Sequence, residues 1–175
     1  WKTPYPRKPR QKQNRPMNTQ VTNERQMSTP VVISEVRKGS MWIRLNRPEA
    51  MNSLTPEVLR GIDQALNEAQ NRADVRSVVL TGTGRAFCAG ADLKYVKTQT
   101  GETGTIGFLD SVLVTMNRID RFPKPVIAAL NGITLAGGLE LVLCCDLVLA
   151  ARSAKIGDAH ANYGLLPGGG GSVRL

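Results

Sequence analysis

The most apolar stretch of the chain runs from Gly132 to Ala151. It is nearly long enough to cross a bilayer, yet Glu140 and Asp146 lie inside it and Gly137-Gly138 interrupts it. Each acid at the centre of a span would cost about 3 kcal/mol on an insertion scale. The stretch therefore reads as the buried interior of a soluble protein, and no membrane is expected as a partner. An acid held in such an interior has to be paired or put to chemical use.

Net charge points elsewhere at first. The 175 residues carry +9, with 23 Lys+Arg against 14 Asp+Glu and a pI near 9.9, values that suit a nucleic-acid partner. Position changes that reading. The first 16 residues hold Lys2, Arg7, Lys8, Arg10, Lys12 and Arg15 with no acid, together with four of the ten prolines. They supply +6 and leave only +3 to the rest. Such a segment has too little to bury and too many prolines for a helix. Residues 1–27 are expected to be a disordered basic tail, or upstream sequence preceding Met17 or Met27, and 28–175 a single domain. Aromatics at 5% offer no base-stacking platform, so nucleic acid is the weaker hypothesis. Cys88, Cys144 and Cys145 form no closed disulfide set and favour a reducing, cytoplasmic setting.

The domain alternates short strand signals with helical ones. VVISEV and MWIRL flank Arg37-Lys38-Gly39-Ser40 as a hairpin, with Met41, Ile43 and Leu45 on one face. Thr55 and Pro56 open a helix whose apolar side is Val58, Leu59, Ile62, Ala65, Leu66 and Ala69. Ser77–Thr81 reads as a buried strand, Thr98–Thr105 as a polar loop. Phe108, Leu109, Val112, Leu113, Met116 and Ile119 mark a second helix, stopped by Pro123 and Pro125. Val126–Leu130 and Leu147–Ala150 read as further buried strands, with a helix opening at Gly137-Gly138. Repeated strand-strand-helix units imply an α/β fold.

Common cofactor and nucleophile motifs fail on single residues. Gly82-Thr83-Gly84 would need a third glycine where Phe87 stands. A Gly-x-Ser-x-Gly elbow would need one at Arg174. One histidine forbids a His-Glu-x-x-His zinc site, and no metal is expected. Two small-residue loops remain, Arg85–Lys94 and Asn131–Glu140. Each lets backbone approach a ligand. Gly137 begins a helix, so its N–H is unpaired there; an N–H from Gly90-Ala91 could meet it and complete an oxyanion hole. Glu140, one turn further on, would place a carboxyl near the same spot and suits a proton shuttle. The competing reading has the glycines serving only close packing and Glu140 paired with a buried arginine.

At these residues the chain resembles the enoyl-CoA hydratase/isomerase (crotonase) family. The likeness covers Val31–Leu175 through IRLNRPEAMNSL, VVLTGTGRAFCAGADLK, KPVIAALNGITLAGGLELVLCCDLVLAA and IGDAHANYGLLPGGGG. It implies a spiral of ββα units that binds an acyl-CoA thioester and stabilises its enolate. By position, Ala91 and Gly137 would supply the oxyanion N–H groups. Ala91, Asp92, Leu93 and Lys94 would line the substrate site, with Lys94 near the nucleotide end. Glu140 matches the first of the family's two hydratase glutamates; the second falls on His160, which could serve in its place, as could Asp158. Isomerase, dehydratase and hydrolase chemistry therefore stay open. No cofactor is implied beyond the coenzyme A of the substrate. The family continues into C-terminal helices that complete the site and drive trimer or hexamer assembly, so 28–175 is expected to be an incomplete N-terminal core.

Overall fold

A computed structural model describes residues 29–99 and 101–175. The basic tail expected over 1–27 lies outside the described residues. Strands β1 (Val32–Arg37) and β2 (Ser40–Leu45) pair antiparallel, closing at Arg37 opposite Ser40. Lys38 and Gly39 between them have φ of +48° and +79°. Two left-handed residues make the turn whose twist suits adjoining strands. Met41, Ile43 and Leu45 are buried, as their alternation predicts.

Helix α1 (Pro56–Asn71) starts where its cap does: Thr55 Oγ1 accepts from Val58 N at 3.4 Å and Pro56 opens the first turn. Its buried residues are the six that the periodicity selects. At the other end Lys124 Nζ donates to the carbonyls of Ala69 and Arg72, satisfying acceptors that a helix leaves open. Then follow β3 (Ser77–Gly82), β4 (Ala86–Cys88), α2 (Leu93–Thr98), α3 (Gly101–Asp120), β5 (Val126–Leu130), β6 (Ile133–Leu135), α4 (Gly137–Leu143), β7 (Leu147–Ala150), β8 (Ile156–Gly157) and α5 (Gly171–Arg174).

The strands sort into two sheets, ordered β1-β2-β3-β5-β7 and β4-β6-β8. Beyond the β1–β2 hairpin every pairing is parallel. The β1–β2 pair lies wholly in the larger sheet; from β3 onward each repeat sends its first strand to the larger sheet and its second to the smaller one. Two asparagines hold the point where the chain changes sheets. Asn52 Nδ2 donates to Thr83 O and Ala86 O; Asn131 Nδ2 donates to Gly84 O and Ala86 O, while its Oδ1 accepts from Gly82 N. Gly138 seats α4 directly on β4: a Cβ there would lie 2.0 Å from Cys88 O. The core gathers β2, β3 and β5 against α1 and α3, with Phe87, Met116 and Leu141 among its fully enclosed side chains.

Two expectations are corrected. Thr98–Thr105 is not one polar loop, since α3 begins at Gly101 and runs 20 residues; a helix packed on α1 overrides weak local propensity. Strand β7 is not buried. Leu147, Val148 and Leu149 are 58%, 48% and 66% exposed, and β7 forms one edge of its sheet. The Gly132–Ala151 stretch is therefore interior only as far as Cys144. Asp146 is exposed and its Oδ2 accepts from Val126 N at 2.7 Å. Among the described residues no helix is long and apolar enough to cross a membrane.

Candidate active site

The Gly90-Ala91 and Ala136-Gly137 loops meet at backbone contact. A Cβ on Gly90 would lie 3.2 Å from Gly137 N, and one on Gly137 would lie 3.5 Å from Ala91 N. Gly90 has φ +103°, a conformation that favours glycine. Its carbonyl accepts from Leu54 N at 2.8 Å and Asp92 N donates to Leu54 O at 2.9 Å. The neighbours of Ala91 are thus paired. Among the described residues neither Ala91 N–H nor Gly137 N–H has an acceptor in the protein. Ala136 sits at φ +48°, ψ −121°, a strained backbone for a residue with a Cβ, which costs about 1–3 kcal/mol. The β6–β8 pairing holds it there, with Ala136 N donating to Gly157 O at 3.2 Å.

Glu140 projects from the first turn of α4 and is 4% exposed. Among the described residues no arginine pairs with it; its one ionisable partner there is His160. Its Oε1 accepts from Gly169 N at 2.7 Å and from Gly171 N at 2.9 Å. The glycines are needed there: a Cβ on Gly169 would stand 2.8 Å from Glu140 Oε2, and one on Gly171 would stand 3.1 Å from Oε1. Sequence reasoning missed this cradle. Its only signal was the glycine density itself.

Glu140 Oε2 faces His160 Nε2 at 3.5 Å. On the far side of the ring, Asp158 Oδ1 faces Nδ1 and accepts from His160 N at 3.0 Å. The His160 backbone N–H, and then its ring, hold the Asp158 carboxyl below the usual carboxylate range. These groups line a cavity of about 180 Å³ walled by Leu139, Leu143 and Pro167. The structure thus brings Glu140 and His160 together, and Ala91 beside Gly137.

The remaining candidates are placed differently. Asp92 caps α2, its Oδ1 accepting from Lys94 N at 3.1 Å and Tyr95 N at 3.2 Å. Its Oδ2 pairs with Arg47 at 2.9 Å. Partial burial opposes ionisation, but Arg47 and these N–H groups outweigh it and hold the carboxyl below its usual range. That side chain serves the fold, and Arg47 is a residue the sequence reading passed over. Leu93 is half-buried and Lys94 exposed. Burial pushes the thiols of Cys88 and Cys145 up to about 12 and that of Cys144 up to about 11, so none is a thiolate nucleophile near neutral pH.

Residues 35–175 match the enoyl-CoA hydratase/isomerase family. The short-chain-enoyl-CoA hydratase of Clostridium acetobutylicum is 38% identical over 146 residues, covering 82% of this chain and 55% of that protein. The 1,2-epoxyphenylacetyl-CoA isomerase of Escherichia coli is also 38% identical, over 147 residues, with 82% and 56% covered. A crystal structure of an enoyl-CoA hydratase from Bacillus anthracis superposes with TM-score 0.78 at 38% identity, covering 83% of this chain and 57% of that one. The chain spans just over half the length of these relatives. Match, fold and motif order agree: the chain belongs to the enoyl-CoA hydratase/isomerase family.

Proposed function

We propose that this chain carries the enolate-stabilising part of an acyl-CoA lyase or isomerase. The thioester oxygen sits between the N–H groups of Ala91 and Gly137, which donate more strongly as it gains negative charge. Glu140 and His160 move the proton at the carbons beside the thioester. Ala91, Asp92, Leu93 and Lys94 form the substrate wall, Asp92 through its backbone, and Lys94 meets the phosphate-bearing end of coenzyme A. No cofactor is invoked, since coenzyme A enters as part of the substrate. One observation supports this reading above the others. Glu140 lies one turn beyond Gly137, buried, with Oε1 held by two N–H groups and Oε2 turned to His160.

Incubation with crotonyl-CoA tests it. Hydration removes the conjugated thioester absorbance, and absence of both turnover and acyl-CoA binding would reject the reading. Isomerisation is the second reading, favoured by a histidine rather than a second carboxylate opposite Glu140. A 3-enoyl-CoA gaining conjugation would identify it. Assembly as a trimer or hexamer is proposed on the exposed apolar edge Leu147–Leu149, with gel filtration as its measurement. A cytoplasmic setting is proposed on three free cysteines.

A further inference from the structure

Resting on the Glu140–His160 reading, we infer that Asp158 is a positioning residue that presets the tautomer of His160, so that Nε2 alone exchanges protons with Glu140. An imidazole has two nitrogens, and the hydrogen bond at one decides which is free at the other. Two carboxylates compete for this ring from opposite sides. Asp158 lies within a short hydrogen bond of Nδ1, while Glu140 Oε2 lies 3.5 Å from Nε2, beyond a normal one. An ionised carboxylate only accepts, so Nδ1 must carry the proton. The shorter contact wins, and the lone pair of Nε2 is left facing Glu140.

Among the described residues the surroundings supply no rival. From α5, Arg174 donates to Gly169 O and Asn117 Oδ1 and lies 3.8 Å from Asp120; it does not pair with the ring. Asp158 is joined to His160 twice, through the ring and through its backbone N–H. Ring and carboxylate therefore move as one unit on the short segment after β8. Within the reaction, a proton leaves Glu140 for Nε2, or returns, as a single transfer with no change at Nδ1. Asp158 touches no reacting atom.

His160 is the only histidine in the chain, so one labelled residue reports on the whole question. The full chain labelled with ring-15N histidine would be observed by long-range 1H–15N NMR at pH 9, well above the ordinary imidazole range. The wild type is expected to show Nδ1–H with bare Nε2. Asp158→Ala is expected to move the proton to Nε2. It should also lower kcat for crotonyl-CoA by about 10–100-fold, as for partners that orient metal-bound histidines, with little change in KM. Asp158→Asn keeps an acceptor and should retain Nδ1–H, which decides the matter even if the alanine variant unfolds. A wild type carrying Nε2–H, or a tautomer unmoved by Asp158→Ala, overturns the inference. A tautomer that moves as expected in a chain inert towards every acyl-CoA would instead reject the proposed function and leave the positioning intact.

Discussion

Asp92 and Glu140 follow closely on the two backbone donors, yet their carboxylates are occupied differently. Asp92 has both oxygens engaged: Oδ1 caps α2 and Oδ2 meets Arg47, whose other nitrogen bonds Ser53 O. Glu140 is more deeply buried but, among the described residues, less fully engaged, with two N–H groups on Oε1 and a histidine at 3.5 Å from Oε2. A carboxylate with both oxygens directed at fixed donors holds a loop in place. One that keeps an oxygen turned to a titratable partner is able to move a proton. Burial alone does not separate the two; the partners of each oxygen do.

The strongest way to break this contrast is Glu140→Gln. The amide keeps an acceptor for Gly169 and Gly171 but has no proton to exchange, so turnover of an acyl-CoA should fall on the order of 10²–10⁴-fold. Melting temperature is the control, and near-normal turnover would return Glu140 to a purely structural role. Next in size is Gly138→Ala, which would press a Cβ against a backbone carbonyl of β4 and should cost about 1–3 kcal/mol in denaturant unfolding. A silent substitution would mean that the site does not depend on α4 lying directly on β4.

Asp92→Ala should cost about 1–2 kcal/mol, the range for a lost helix cap, and it leaves Arg47 without its carboxylate. The same residue yields a pH prediction. Its folded pKa is depressed below the ordinary 3.8. Its contribution is therefore complete above that value and is lost as pH falls through the lower folded pKa. Asp92→Asn should flatten that acid limb of the stability curve; an unchanged limb would show that Asp92 is not held as described. Smallest is Thr55→Ala, near 0.5 kcal/mol, because the cap bond at 3.4 Å is long.

The stretches that could be read in advance share a property: their pattern is local. The α1 face repeats at helical spacing within 16 residues, and the Lys38-Gly39 turn is set by two conformations. Errors fell where a distant partner decides. An apolar run such as Leu147–Ala150 looks the same in a central strand and at an edge, since only the number of neighbouring strands differs. Nothing local marks Asn52 and Asn131, whose clamp on Ala86 O forms only where three loops converge.

By itself, the sequence determined that an acid sits one helical turn beyond a glycine pair in an apolar stretch, and that a single histidine is present. It also carried the motif order that marks the family. Only the tertiary structure decided that Glu140 is cradled by Gly169 and Gly171, that His160 is its neighbour, and that Asp158 stands behind the ring. The physical reason is one of range. Helical periodicity and turn conformation depend on residues a few positions apart. A carboxylate's partners here lie 20 to 31 positions away, where chain connectivity imposes no geometry and packing alone sets the distance.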